Sequence, residues 1–162
     1  MLLFLLGCVS AQEVKNSLFK FRNTIHVEAG GHGLLYSVNY ERLLINHSSF
    51  KTGAQLGISY YPKQTGIRDI WIPLVINELF TISNHHIEFG LGHVFIREAS
   101  RDLENNPREW FWSGTFTGRL GYRYQKPSGR ITYRIGFTPF LEYEQKYFEF
   151  HPSGGLAIGY NF

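Results

Sequence analysis

The chain has 162 residues, of which 17% are aromatic and 17 are glycine, and it carries a formal net charge of +3. Aromatic residues favour strands and glycine permits tight turns, so this composition favours a single all-β domain. The lysines and arginines are spread along the chain rather than massed in one block, which argues against a nucleic-acid-binding protein.

The first twelve residues, MLLFLLGCVSAQ, combine a short apolar run with a small-residue cleavage site, VSA at positions 9–11. This pattern predicts an export signal over residues 1–11, and its shortness and lack of a basic start indicate a truncated or misassigned beginning. An alternative interpretation takes LLGC at positions 5–8 as a lipobox, with Cys8 as a lipid-carrying N-terminus. Cleavage after Ala11 removes the single cysteine, so the sequence predicts neither disulfides nor thiol chemistry.

After a predicted periplasmic segment, residues 12–22, apolar and polar residues alternate in segments separated by turn-forming clusters. The alternation predicts eight strands, at residues 24–30, 34–43, 52–61, 70–80, 86–97, 113–125, 130–143 and 154–162. The last of them alternates up to the final residue, which is typical of a closing strand rather than of a frayed terminus. The sequence therefore predicts an eight-stranded antiparallel up-and-down transmembrane β-barrel over residues 23–162.

The predicted connections mostly alternate between short and long, as they do in an outer-membrane barrel. If the first strand runs outward, the inward turns are residues 44–51, 81–85 and 126–129. The outward connections are then residues 31–33, 62–69, 98–112 and 144–153, of which the first is a short exception. We interpret the glycines of GGHG at 30–33 as a hairpin turn rather than a phosphate-binding loop, because no helix follows them.

Periodicity alone leaves open whether the apolar face points towards lipid or, as in a soluble lipocalin-like barrel, towards an apolar ligand. The polar parity is rich in glycine: Gly53, Gly57, Gly90, Gly92, Gly121, Gly136, Gly155 and Gly159. Glycine weakens a water-facing strand but leaves room for bulky side chains in a narrow interior. We therefore expect apolar side chains such as Tyr133 to face lipid and the polar parity to face inward.

Charged residues of both signs share this inward parity. They are Glu28, Glu41 and Glu88, with Glu142 as a further candidate, and Arg119, Arg123 and Arg134. Buried charges must be paired, so we expect acids and bases to neutralise one another in a packed core. Eight strands leave space only for side chains, which predicts a largely closed interior rather than a wide pore.

Aromatic residues near the strand ends predict two interfacial girdles. The outward girdle comprises Tyr60, Tyr61, Trp71, Trp110, Trp112 and Tyr143, and the inward girdle comprises Tyr40, Phe80, Tyr124 and Phe162. His93 and Glu78 fall on the lipid-facing parity and Pro73 lies inside a strand, so we expect a bulge or a shifted register there.

The C-terminal alternation of Leu156, Ile158, Tyr160 and Phe162 resembles the β-signal by which assembly machinery recognises outer-membrane barrels. Together with VEAGGHGLLYSVNYERLL, GYRYQ, GFTPF and GYNF, it resembles small OmpA/OmpX-like eight-stranded outer-membrane proteins of Bacteroidetes-type bacteria. The resemblance implies a location in the outer membrane, with lipid, lipopolysaccharide and the barrel-assembly machinery as partners, and it implies no catalytic residue or cofactor. We expect a monomer.

The pair His151 and Ser153 is similar to the His-x-Ser pair of outer-membrane lipid A deacylases, in which the histidine activates the serine. The acidic residue that those enzymes place after the pair is missing here, and Glu142, Glu144 and Glu149 lie before it. A lipid A hydrolase using His151 and Ser153 therefore stays an alternative, and the sequence favours a non-enzymatic protein.

The other histidines lack the spacing of a metal site, and His85-His86 is predicted to lie in a solvated turn. The polar loop at residues 97–112 is the best candidate for contacting a surface ligand or a partner. The sequence thus predicts an outer-membrane barrel with a structural, adhesive or narrow-transport role.

Overall fold

The structure is a computed structural model that describes residues 18–61, 69–99, 110–144 and 147–162. The alternating segments form ten strands. They are β1 Asn23–Gly30, β2 Tyr36–Asn46, β3 Phe50–Tyr61, β4 Asp69–Ile82, β5 His85–Ala99, β6 Trp110–Gln125, β7 Ile131–Phe137, β8 Phe140–Glu144, β9 Tyr147–His151 and β10 Gly154–Asn161. A short 3-10 turn, Gly31–Gly33, follows β1.

The ten strands occupy eight positions around a closed antiparallel barrel. Each strand from β1 to β6 pairs with the next one in the chain, and β1 also pairs with β10. Both β7 and β8 pair with β6, while β10 pairs with β7 and β9 pairs with β8. The last two positions are therefore each split into two strands, and the predicted eight-stranded barrel is confirmed.

Prolines interrupt the two split positions. Pro139 separates β7 from β8, and Pro152 separates β9 from β10. Proline has no N–H to give to the ladder, so regular pairing stops there. The gap is bridged locally, because Thr138 N donates to Ser153 O at 2.7 Å and Gly118 N donates to Pro139 O at 3.1 Å.

Several predicted boundaries are wrong. The predicted loop at 144–153 contains β9, and the predicted loop at 98–112 begins and ends in strand, because Glu98 pairs with Phe111 and Arg97 with Trp112. The interior of that loop, residues 100–109, lies outside the described residues, as do the outward connection at 62–68 and the export signal at 1–11. Polar composition alone did not distinguish a loop from strands that extend beyond the apolar band.

The bulge expected at Pro73 is also wrong. On both sides of Pro73, β3 and β4 keep one register, with Leu56 opposite Leu74 and Ser59 opposite Trp71. Proline's fixed φ is compatible with an extended strand, so only a ladder bond is lost. The register shift of this part of the barrel lies instead between Leu43 and Ile45, where β2 pairs with β3.

Apolar side chains cover the outside of the barrel, and charged side chains are enclosed within it. Leu156 and Tyr133 are 60% and 52% exposed, whereas Arg119 is only 4% exposed. The same alternation runs along β1, where Thr24, His26 and Glu28 are buried. This polarity is the reverse of that in a water-soluble globular protein.

The interior is nevertheless not polar along its whole length. We call the end of the barrel at which β1 begins and β10 ends the inward end, and the opposite end the outward end. At the inward end, Phe19, Leu43 and Leu79 form a buried apolar cluster. At the outward end, Val94, Ile96 and Phe140 form another, against which Leu34 and Trp71 pack.

Two residues of the predicted outward girdle belong to this interior. Tyr61 is 1% exposed, and the Trp71 ring meets the rings of Tyr61 and Phe140 at nearly right angles, with centroids 6.1 and 5.9 Å apart. The girdle prediction is wrong for Tyr61 and Trp71 because being near a strand end does not determine which face a side chain occupies. The side chains of Trp110 and Tyr143 lie outside the described residues.

No helix in the described part of the chain is long and apolar enough to cross a membrane.

Candidate functional site: the charged interior of the barrel

Two carboxylates and two guanidinium groups meet in the middle of the barrel. Arg123 donates to Glu41 through both terminal nitrogens, at 2.7 and 2.8 Å, and to Glu88 at 2.7 Å. Arg134 donates to Glu41 at 3.0 Å and to Glu88 through two nitrogens, one of them at 3.1 Å. All four side chains are at most 3% exposed. We call these four residues the central cluster.

The central cluster arises from strand geometry. Arg123 and Arg134 are paired across β6 and β7, and Glu88 lies on β5 next to β6. Side chains alternate between the two faces of a strand, so residues in register on neighbouring strands point to the same side. Glu41, on β2, reaches the arginines from the opposite wall, which is possible because eight strands enclose a narrow space.

Neutral polar side chains surround the central cluster. Gln55 Oε1 accepts from Arg134 at 3.3 Å and from Asn77 Nδ2 at 3.1 Å, and Gln55 Nε2 donates to Asn39 Oδ1 at 3.1 Å. His26 Nε2 lies 3.0 Å from Arg134 Nη1. These amides and the imidazole form hydrogen bonds here. Polar groups left without partners in an enclosed site would lower the stability of the fold.

A second ion pair lies nearer the outward end. Arg119 pairs with Glu28, and its Nη2 atom also lies 3.0 Å from Nδ1 of His32. His32 is fully buried, and its ring nitrogen is 3.8 Å from the other oxygen of Glu28. We call Glu28, His32 and Arg119 the outward cluster.

His32 enters the barrel because the connection between β1 and β2 folds inward. The connection is the hairpin turn that the sequence predicted, since it joins the antiparallel pair β1 and β2, but Gly31, His32 and Gly33 are all buried. Gly30 and Gly31 have φ values of 74° and 68°, which glycine adopts without strain. The glycines on both sides of His32 are the sequence signal that could have indicated this inward-folded connection. Residues with larger side chains could not pack this close to Glu28.

A third set of contacts fills the inward end. Lys51 Nζ donates to Thr81 Oγ1 at 2.8 Å, and the hydroxyl lies 3.0 Å from Nδ1 of His86. The ring of Phe19 covers both groups, with Lys51 Nζ 4.8 Å and the His86 ring 5.1 Å from its centroid. His86 is therefore buried rather than in the solvated turn that was predicted, and Phe19 was not expected to take part.

The charges within the central and outward clusters balance. Three glutamates face three arginines in the two clusters, and Lys51 is the remaining cation. Glycine makes room for them: a Cβ added to Gly53 would lie 2.9 Å from Glu41 Oε1, and one added to Gly90 would lie 3.0 Å from Arg119 Cβ. Several buried polar atoms in the outward cluster lack a protein partner, namely Glu28 Oε2, His32 Nε2 and Arg119 Nε. Such atoms are normally satisfied by internal water.

The predicted His151 and Ser153 pair is not assembled. His151 Nε2 is 3.5 Å from Glu149 and 3.8 Å from Glu142, and all three side chains are about half exposed. Ser153 Oγ instead lies 3.5 Å from Gly31 O. Glu142 thus contacts His151 at the surface and does not join the interior charges.

The four residues of the predicted C-terminal assembly signal face outward. Leu156, Ile158, Tyr160 and Phe162 are exposed on one side of β10 and just after it. Recognition by assembly machinery remains a prediction. Within the described ranges, His, Cys, Asp and Glu form no group of three or more arranged to hold a metal ion.

Comparison with known proteins supports the architecture. The chain is similar to the crystal structure of the N-terminal β-barrel domain of OprF from Pseudomonas aeruginosa, with a TM-score of 0.56 and 11% sequence identity over 88% of this chain and 100% of that domain. No protein-family model matches the chain, and no curated protein matches it either. The chain thus shares the fold of that small β-barrel domain.

Proposed function

We propose that the protein is an integral outer-membrane β-barrel with a sealed, ion-paired interior, serving a structural, adhesive or narrow-transport role. One observation carries this proposal: the outside of the barrel is apolar while its interior is charged. Ile158 on the outside is 54% exposed, and Glu88 on the inside is fully buried. Soluble proteins rarely expose apolar patches beyond a few hundred Å².

The distribution of aromatic residues supports a membrane location. Exposed Tyr60 and Trp112 lie towards the outward end of the barrel, and exposed Tyr40 and Phe80 lie towards the inward end. Tyrosine and tryptophan prefer the two interfaces of a bilayer. The stretches VEAGGHGLLYSVNYERLL, GYRYQ, GFTPF and GYNF further support a small outer-membrane barrel of Bacteroidetes-type bacteria. The apolar run and the VSA site support export by a signal at residues 1–11.

The same arrangement disfavours the two alternatives. A soluble lipocalin-like barrel needs an apolar cavity, whereas the middle of this barrel is filled by arginine and glutamate side chains. A hydrolase needs its histidine within hydrogen-bonding reach of its nucleophile, whereas Ser153 Oγ contacts Gly31 O and His151 contacts Glu149. We therefore propose a non-enzymatic protein.

Fractionation of cells that express the full chain tests the membrane location. We expect the protein in the outer-membrane fraction, extractable only with detergent, and we expect its gel mobility to change after boiling because a folded barrel resists the detergent of the gel. Recovery wholly in the soluble periplasmic fraction would contradict the proposal.

Conductance measurements test the sealed interior. The central cluster fills the middle of the barrel, and the two apolar clusters fill its ends. Together they occupy the interior space through which a pore would run. We expect the protein, reconstituted in planar bilayers, to show no sustained open channel of the kind that wide diffusion pores give. A stable, large conductance from the folded protein would contradict the sealed interior.

A further inference from the structure

The inward rim of the barrel carries an arc of five exposed basic residues. They are Lys20, Arg22, Arg42, Lys126 and Arg130, and we call them the basic rim. Backbone contacts hold the arc together, because Lys20 N donates to Pro127 O at 2.8 Å and Leu43 N donates to Arg22 O at 2.7 Å. The residues just before β1 therefore run along the rim from the turn between β6 and β7 to β2.

No acidic side chain of the described residues balances this arc. The stretches that form this side of the barrel are residues 18–46, 125–137 and 154–162, and their only acidic residues are Glu28 and Glu41. Both carboxylates are buried in the interior, where they contact arginines. The five positive charges thus face the surroundings of the barrel.

Two of these cations share one aromatic ring. The Arg130 guanidinium carbon lies 4.9 Å and Lys20 Nζ lies 5.5 Å from the centre of the Phe21 ring. Arg130 Nη1 also donates to Tyr160 OH at 2.7 Å, which orients the guanidinium group. Two cations that contact one ring, with no acidic partner among the described residues, favour an anion beside them.

An apolar groove of about 520 Å³ lies on the same side of the barrel. Its walls include Val27 on β1, Tyr133 and Ile135 on β7, and Leu156 and Ile158 on β10. Ile158 lies two residues from Tyr160 along β10, so the groove opens next to the residue that orients Arg130. A cationic rim above an apolar groove has the charge and polarity of a lipid site with an anionic headgroup.

We propose that the basic rim and this groove bind an anionic phospholipid, with the phosphate of its headgroup at the cations beside Phe21, Lys20 and Arg130, and an acyl chain along the groove. This inference rests on the proposed membrane embedding. The occupant is a phospholipid of the leaflet on the inward side, and the interaction is with its net negative headgroup.

Lipid selectivity measured by electron spin resonance tests the proposal. The full chain is reconstituted in phosphatidylcholine membranes with spin-labelled phosphatidylglycerol or spin-labelled phosphatidylcholine, and the motionally restricted fraction gives the relative association constant. We expect the wild-type protein to prefer phosphatidylglycerol, and we expect high salt, but not millimolar inorganic phosphate, to reduce this preference.

The decisive comparison is between two variants. The double variant Lys20→Gln/Arg130→Gln is expected to lower the association constant for phosphatidylglycerol roughly 25-fold, because each basic residue near an anionic membrane surface contributes roughly a fivefold factor. Arg97→Gln, at the other end of the barrel, serves as the matched control and is expected to leave the preference unchanged.

The outcomes separate this inference from the proposed function. If both lipids are restricted equally by the wild-type protein, or if Arg97→Gln lowers the preference as much as the double variant, the headgroup site is wrong while the membrane embedding stands. If neither lipid is restricted, the barrel is not embedded and both proposals fail.

Discussion

At the scale of single residues, the interior depends on charges that share partners. Glu88 accepts hydrogen bonds from both Arg123 and Arg134, and those arginines also contact Glu41. Each carboxylate therefore neutralises part of two guanidinium groups. Removing one member leaves the others buried without sufficient counter-charge, which costs more than an intact network contributes.

Glu88→Gln tests this dependence. We expect the substitution to lower the free energy of unfolding by about 3–5 kcal/mol, because two arginines lose a buried counter-charge. The measurement is urea unfolding of the protein folded in lipid vesicles, followed by gel mobility. Glu78→Gln is the matched control: Glu78 lies on the outer face and accepts from Thr52 Oγ1 at 2.8 Å, so its loss should cost less than about 1 kcal/mol. Equal effects of both substitutions would contradict the importance of the central cluster.

At the scale of elements, the two ends of the barrel are closed by different pieces of chain. The turn Gly31–Gly33 enters the outward end and brings His32 to Arg119. The residues before β1 cross the inward end and place Phe19 against Leu43 and Leu79. Both pieces are short, and each depends on one feature: a left-handed glycine in the first and a buried aromatic ring in the second.

Gly31→Ala tests the inward-folded turn. The residue has φ of 68°, and an added Cβ would overlap the carboxylate of Glu28. We expect a loss of stability of about 2 kcal/mol or more, since the left-handed conformation alone costs an L-residue about 1–2 kcal/mol. Gly118→Ala is the control, because the nearest atoms to its added Cβ are 3.7 Å away. A Gly31→Ala protein as stable as Gly118→Ala in the same vesicle assay would show that the turn does not occupy the barrel.

Phe19→Ala tests the inward closure. Phe19 is 5% exposed and covers Lys51 and His86, so truncation should lower the free energy of unfolding by about 3–5 kcal/mol. The neighbouring Leu18 is 52% exposed, and Leu18→Ala should change stability by less than about 0.5 kcal/mol. If the two variants unfold at the same urea concentration, the residues before β1 do not seal the barrel.

At the scale of the whole molecule, the sequence predicts more of the fold than of the contacts within it. Side chains alternate strictly along a strand, so the alternation around Glu41 and Tyr40 predicts opposite faces for these two residues. Which arginine contacts Glu41 depends on the stagger of all eight strand positions. The sequence of a single strand does not determine that stagger. The contact between Arg134 and Glu41 therefore required the structure.

The residues that sequence analysis missed lie where periodicity ends. His32 follows the alternating part of β1, and Phe19 precedes it, so neither belongs to a strand whose face can be predicted. Trp71 and Tyr61 differ, because both lie inside strands, and Tyr61 alternates with the inward-facing Gly57. They were assigned to the lipid interface from their nearness to strand ends, although the alternation places them inside. Tertiary packing, rather than local pattern, determines the positions of His32 and Phe19.

The most direct test of the account is whether the apolar face of β10 touches lipid. A nitroxide label is attached to Ile158→Cys, and in a separate protein to Lys126→Cys in the exposed turn, both in a Cys8→Ala chain folded in lipid vesicles. The account predicts that the label at Ile158 collides with oxygen dissolved in the bilayer and is shielded from a water-soluble nickel complex, while the label at Lys126 shows the reverse. A label at Ile158 that meets the nickel complex more readily than oxygen would contradict the membrane-embedded barrel.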